Sequence, residues 1–225
     1  MTSKSDTHHG IDFSQLTPHE CYKVLIGSIV PRPIAWITTI DNSGRVNAAP
    51  FSFFNALSAD PPLVGFGIQR KADGVEKDTL RNIQETGVFT INIVNNSLVE
   101  AMSICAIAFP EQDSELVAAG LSSENGILVP SPRILDAPVS LECKKTMIIP
   151  TGPKGEIVLG EVVFAHIHQD LCDPEKLHID QQLLDAVGRM GGQGYSLTRE
   201  YFDLSVKSVD EWAASQDSGE RIWSK

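Results

Sequence analysis

The chain alternates between short apolar runs and turn-rich breaks, and this pattern sets the first expectations. Residues 24–30 and 34–40 are rich in β-branched side chains and predict strands, separated by Pro31-Arg32-Pro33. Asp41-Asn42-Ser43-Gly44 is a strong turn signal, so residues 34–49 predict a hairpin. In residues 63–69 a strand would place Val64, Phe66 and Ile68 on one face and Leu63, Gly65 and Gly67 on the other. Glycines on one strand face mark the close approach of another body. Residues 79–86 predict a short helix with Asp78 as N-cap and Gly87 as its stop. Residues 88–94 alternate as a strand, and 97–108 and 115–119 predict helices. Residues 139–149 and 157–169 predict long strands joined by a turn at 150–155. Residues 181–187 predict a short helix, 188–195 a glycine-rich loop, and 202 onward a strand and tail.

Strands dominate, and no regular βαβα alternation is present. A doubly wound sheet is disfavoured, and a mainly β fold, a barrel with helical insertions, is expected. Residues 1–19 hold few apolar anchors and predict a loosely attached arm. Residues 20–210 form the expected domain and 211–225 a tail. No repeat or long linker divides the 225 residues.

The formal net charge of −11 argues against a nucleic-acid partner, because phosphate backbones require a basic face. A small anion needs only local positive charge. The four cysteines are scattered and form no C-x-x-C pair, which argues against a zinc or thioredoxin-type site. The polar start has no apolar h-region, and no apolar run has the length of a membrane span. A soluble cytoplasmic protein is the expectation.

No G-x-S-x-G elbow, P-loop or Rossmann glycine spacing is present, so no catalytic residue can be assigned. His166 and His168 would share a strand face. They could ligate a metal or lie at a solvent edge, and no full ligand set accompanies them, so no metal is expected. The segment RKADGVEKDTLR, residues 70–81, concentrates four cations in an acidic chain. With a hydroxyl at Thr79 and a helix start it could hold a phosphate, or it could be a solvated loop. The segment AAPFSFFN, residues 48–55, places Ser52 and Asn55 among Phe51, Phe53 and Phe54. That mixture suits the face and edge of a flat heteroaromatic ring, and equally a hydrophobic crossover.

Three longer stretches carry a resemblance: VPRPIAWITTIDNSG (30–44), NAAPFSFFNALSADPPLV (47–64) and KDTLRNIQETGVFTINIV (77–94). LECK (141–144), VLGEVVFAHIH (158–168) and GRMGGQGY (188–195) follow in order. Together they resemble the flavin reductase-like, FMN-binding split-barrel family, and look most like its flavoredoxin-type members. The resemblance implies a six-stranded split β-barrel that forms a homodimer and binds FMN near the subunit boundary. It implies cofactor contacts from Ala49, Pro50, Ser52, Phe53 and Asn55 at the ring, and from Lys77, Asp78 and Thr79 near the phosphate. Thr38, Thr39 and Asn47 fall close to the flavin, with Arg32, Arg189 and Tyr195 as further contacts. The implied function is that of an FMN-dependent oxidoreductase. It would pass electrons from NAD(P)H or a redox partner, protein or small molecule, through bound FMN. A non-enzymatic FMN-binding or electron-carrier module is the alternative. Short flavin reductases of this family often carry Gly-Asp-His where this chain has Gly152-Pro153-Lys154-Gly155. That departure favours an FMN-retaining protein over a free-flavin NADH reductase.

Overall fold

The computed structural model describes residues 7–71, 73–110 and 112–217. Helix α1, Pro18–Ser28, is set by a capping box. Thr17 Oγ1 accepts from the Glu20 amide and the Glu20 carboxylate accepts from the Thr17 amide, with Pro18 in the first turn. This corrects two expectations. Residues 24–30 are largely helical rather than a strand, and the arm ends at Thr17.

Strands β1 (Ala35–Ile40) and β2 (Val46–Phe51) form the expected hairpin, with Trp36 opposite Pro50 and Thr39 opposite Asn47. Two residues later the chain is again extended as β3 (Phe54–Ala59), followed by β4 (Pro62–Gln69). Helix α2, Asp78–Thr86, stops at Gly87, which adopts the left-handed conformation. Lys77, not Asp78, occupies its N-cap position, without a side-chain cap, and Asp78 lies in the first turn. Strand β5 is Val88–Ile93. Helices α3 (Val99–Ile104) and α4 (Glu115–Ala118) follow, the first shorter than expected. Strands β6 (Val139–Gly152) and β7 (Gly155–Ile167) are the long hairpin.

These seven strands form one antiparallel sheet in the order β2-β1-β5-β6-β7-β4-β3. The two edge strands are consecutive in the chain, joined only by Ser52 and Phe53. Seven flat strands at ~4.8 Å spacing would put the edges about 29 Å apart. Two residues reach about 7 Å. The sheet therefore curls until its edges meet at a seam, and a split barrel results. Hydrogen bonding counts seven strands rather than six because the bend divides residues 46–59.

Alternation along β1 feeds two cores. Ala35 and Ile37 join Phe51, Phe66, Phe89 and Val158 inside the barrel, which Leu80 and Ile83 of α2 close. Ile34 and Trp36 face outward beneath Met102 of α3 and Leu116 of α4. Gly160 faces Phe89 so closely that a Cβ there would lie 2.5 Å from the ring.

Residues 188–195 are not a free loop. Val187–Arg189 and Tyr195–Leu197, here β8 and β9, pair with Arg189 opposite Tyr195. Among the described residues no strand follows Phe202. The tail instead forms a helix, Val209–Asp217, begun by reciprocal bonds between Ser208 and Glu211. The last eight residues of the expected tail lie outside the described residues.

His166 has a partner in the fold. Its Nε2 lies 2.6 Å from Oε1 of Glu142, which is fully buried. The same carboxylate accepts the amides of Ile127, Leu128 and Val129 at 2.6, 2.7 and 2.9 Å. Gly126 is required here, since a Cβ would lie 2.9 Å from the Glu142 carboxyl carbon. Burial raises the Glu142 pKa, but the amides and His166 outweigh it and hold the group below the usual carboxylate value. The stability this carboxylate contributes is therefore complete above about pH 4.5 and is lost as pH falls through the lower, folded value. Glu142→Ala is expected to cost at least about 3 kcal/mol, because hydrogen bonds to charge contribute about 1.5–3 kcal/mol each. Urea titrations at pH 7 and below pH 4 check both points, with Glu142→Gln showing a flatter acid limb than the parent.

Candidate functional site

The seam opens two clefts, one on each side of Phe53. The first, about 400 Å³, is walled by Pro50, Ser52, Phe53, Gly67, Gln69 and Lys77, with Tyr22 of α1 and the β6–β7 turn around its rim. The second, about 260 Å³, is walled by Leu25, Ile29, Arg32, Phe53, Phe54 and Asn55. Phe53 is the partition. Its ring lies 6.2 Å from Tyr22 and 6.0 Å from the Arg32 guanidinium. Gly67 lets it approach, since a Cβ at 67 would sit 3.3 Å from Phe53 Cβ and the Gly67 amide donates to the Phe53 carbonyl at 2.7 Å. The body that the glycine face of β4 receives is thus the chain's own bend, together with Leu57 and Leu159 against Gly65.

The structure separates the four cations of residues 70–81. Arg70 is held by Glu156 and Glu76, both at 2.9 Å. Lys71 and Arg81 pair with Asp78 at 3.3 and 2.6 Å. Burial raises the Asp78 pKa, but those two cations outweigh it and keep the group below its ordinary value. Lys77 alone faces the first cleft, with its ammonium 5.5 Å from the Phe51 ring centre and, among the described residues, no carboxylate within 4 Å. Burial, and then Lys71, push its pKa down. Beside it, among the described residues, the amides of Asp78 and Thr79 donate to no protein acceptor. An ammonium and two helix-start amides without acceptors form a site suited to an anion.

The remaining expected residues divide. Pro50, Ser52 and Phe53 join Lys77 at the first cleft, and Ala49 is half-buried next to Pro50. Asn55 lies on the far side of Phe53, in the second cleft with Arg32, and its Oδ1 accepts from the Ala56 amide. Thr38 and Thr39 are fully buried. Thr38 Oγ1 donates to the Pro132 carbonyl, and Thr39 Oγ1 accepts from Asn82 at 3.0 Å. Thr79 is buried too, with its hydroxyl accepting from Asn47 at 2.9 Å. Those three hydroxyls tie α2 and a loop to the sheet and line neither cleft. Asn47 and Asp78 border a small polar pocket on the other flank of α2. Arg189 stacks on Tyr195 at 4.5 Å and donates to the Gly192 carbonyl. Tyr22, Gln69 and Glu156 were not expected at the site. The Thr17–Glu20 capping signature would have predicted α1, and with it the helical stripe that sets Tyr22 at the first cleft and Leu25 and Ile29 at the second.

Comparison with known proteins fits this geometry. The model of the flavin reductase like domain matches residues 26–190. The chain belongs to the flavin reductase-like family. Within the family, a protein of Halalkalibacterium halodurans is 39% identical over 201 residues, covering 87% of this chain and 95% of its own. Among solved structures, the 2-nitrobenzoate 2-nitroreductase NbaA of Pseudomonas fluorescens is 36% identical with a TM-score of 0.82, covering 89% of this chain and 98% of its own. The nitrilotriacetate monooxygenase component B of Bacillus cereus is 34% identical with a TM-score of 0.84, covering 89% and 100%. Flavoredoxin of Desulfovibrio vulgaris, at 22% identity and a TM-score of 0.69 over 78% of this chain and 91% of its own, shares the fold. The fold is the split barrel expected, and the family is one of flavin-related oxidoreductases. Among the described residues no helix is long and apolar enough to cross a membrane.

An unpartnered, half-buried ammonium burdens the ligand-free fold. Lys77→Met is therefore expected to raise the stability of the ligand-free protein by about 0.5–1 kcal/mol, as substitutions that relieve a functional strain commonly do. Thermal melts at pH 7 without ligand check it, and a lower midpoint than the parent would contradict it.

Proposed function

We propose that this protein is an FMN-dependent oxidoreductase whose cofactor occupies the first cleft. The observation that carries the reading is Lys77: in a chain of net charge −11, it is, among the described residues, the one cation of its segment without an acid partner, and it stands at a helix start beside two amides without acceptors. A phosphate monoester supplies the charge and acceptors this corner lacks. Ser52, Phe53 and the backbone of residues 50–53 offer the flat ligand a polar edge and an apolar wall.

Bound FMN would supply a ring that takes up a hydride or single electrons. The chain's own contribution is placement. The seam holds Ser52 and Phe53 rigidly between two strand edges, and the barrel core leaves no route for a ligand to the interior. Arg70, clamped by Glu156 and Glu76, fixes the rim beside the β6–β7 turn. That turn, Gly152-Pro153-Lys154-Gly155, borders the cleft and offers no imidazole to a donor. This supports a protein that retains its flavin and receives electrons from NAD(P)H or a redox partner. The activities of the nitroreductase and the monooxygenase component support the oxidoreductase class over a passive carrier. The reading includes a homodimer, supported by the exposed apolar side chains Leu57, Met147 and Ile149 on strands β3 and β6.

Lys77→Met should weaken FMN by roughly 10- to 150-fold, the loss of a charge-assisted contact worth about 1.5–3 kcal/mol. Riboflavin, which has the ring without the phosphate, should bind with nearly unchanged affinity. Fluorescence titrations of both flavins decide the point, and equal weakening of the two would remove Lys77 from the phosphate. Light scattering of the flavin-loaded protein at micromolar concentration should give twice the 24.5 kDa chain mass. A monomer would refute the dimer.

A further inference from the structure

The second cleft has a charge that its own walls do not balance. Arg32 is only 6% exposed, yet no carboxylate reaches it among the described residues. Its Nη1 donates to the carbonyls of Ile26 and Ile29, both at 2.8 Å, and its Nη2 to Met190 at 3.1 Å. Its Nε has no acceptor. The α1 carbonyls offer only the helix end's partial charge, roughly half a unit. A second guanidinium adds to the excess. Arg189 exchanges both backbone hydrogen bonds with Arg32, at 2.9 and 2.8 Å, so the two side chains leave the same face of that bridge. Arg189 likewise donates only to a carbonyl, that of Gly192, and meets no carboxylate among the described residues. A buried charge without a counter-charge is costly, and an anion arriving there relieves the cost. The rest of the cleft is mostly apolar, with Leu25, Ile29, Pro31, Pro33 and the Phe53 and Phe54 rings, and Ser52 and Asn55 give it one uncharged polar edge.

We propose that this second cleft binds a small, flat organic anion, an aromatic carboxylate in type, whose ring lies against Ile29 and Phe53 and whose charge is met by Arg32, with Arg189 adding positive potential from behind the cleft wall. Its volume, about 260 Å³, falls just below the usual range of ligand clefts, roughly 300–1,000 Å³. That size suits one substituted ring and not a dinucleotide. Because Phe53 is the shared wall, the anion would sit one side chain away from the first cleft. Its role as the second reactant rests on the flavin reading, whereas its binding does not.

The test is isothermal titration of the full chain, FMN-free and FMN-loaded, at low ionic strength. The probes are benzoate and benzamide, which share shape and differ in charge. Benzoate is expected to bind about tenfold tighter than benzamide or more. Ile29→Trp, which fills the cleft and keeps both the arginine and the backbone carbonyl it bonds, should weaken benzoate about tenfold or more, and Lys77→Met should leave it within about twofold. Arg32→Gln should abolish the preference for the anion if circular dichroism shows it folded. Since Arg32 ties three carbonyls, the Ile29→Trp variant and the benzamide comparison carry the test without it. Equal affinity for the two probes, no benzoate heat, or benzoate lost with Lys77→Met and kept with Ile29→Trp would each overturn the proposal. A cleft covered by a second copy of the chain gives the no-heat result. FMN binding without benzoate binding sinks this site alone, and benzoate binding without FMN binding sinks the flavin reading alone.

Discussion

Two residues, Ser52 and Phe53, join the two edges of a seven-stranded sheet. That connection is the constraint on which the rest of the structure depends. Hydrogen bonding alone would allow the sheet to stay open, with β2 and β3 at opposite ends. The short bend forbids it, so the sheet must curl, and curling puts the side chains of β1, β4, β5 and β7 into one sealed interior. The same bend cannot pair fully with either edge. It becomes the one stretch of the barrel wall where backbone and side chains are presented outward in a fixed position. Glycines at 65 and 67 are the price of this arrangement, because the returning segment packs directly on their strand.

The bend also explains why the chemistry collects where it does. A filled barrel has no room for a ligand, so recognition moves to the seam. There the local charge runs against the chain's net charge of −11. Most cations of residues 70–81 are neutralised by nearby acids, and among the described residues Lys77, Arg32 and Arg189 are not. Lys77 and Arg32 flank Phe53, and Arg189 is bonded through its backbone to Arg32. A positive rim in an acidic surface draws in small anions while the molecule as a whole repels polyanions.

Much of this was legible in the sequence because strands announce themselves by alternation and turns by Asn, Gly and Pro. The hairpin at 34–49, the strand at 63–69 and the paired strands at 139–149 and 157–169 are legible on those grounds, and in the structure the last two run on to a tighter turn at Pro153-Lys154. The failures share a cause. Both missed helices begin with reciprocal capping, Thr17 with Glu20 and Ser208 with Glu211, and the first carries residues that favour strands, Val24 and Ile26, while the second follows a segment that alternates like one. Local composition outweighed the cap in the reading, and the cap prevails in the fold. In the tail, Phe202, Leu204 and Val206 alternate as a strand would, but both edges of the main sheet are taken up at the seam, and the segment pairs with nothing among the described residues. At the site, Ser52, Phe53 and Lys77 were brought together as expected. Thr38 and Thr39 could not be judged from pattern alone, because β1 is buried on both faces and consecutive residues face two different cores.

That two-sided burial has a consequence for how such a fold diversifies. Substitutions in β1 or α2 disturb packing on two layers and the hydroxyl ties among Thr39, Asn82, Thr79 and Asn47. Substitutions at Tyr22, Leu25, Ile29 or the 152–155 turn alter only a cleft wall. The scaffold can therefore hold one flat ligand in a constant place while the neighbouring walls change what meets it. Relatives at about 35% identity that differ in activity, a nitroreductase and a monooxygenase component, are what such a division of labour would produce. On this argument the residues that separate one member from another lie on α1 and the hairpin turn. The barrel itself specifies only where the seam falls.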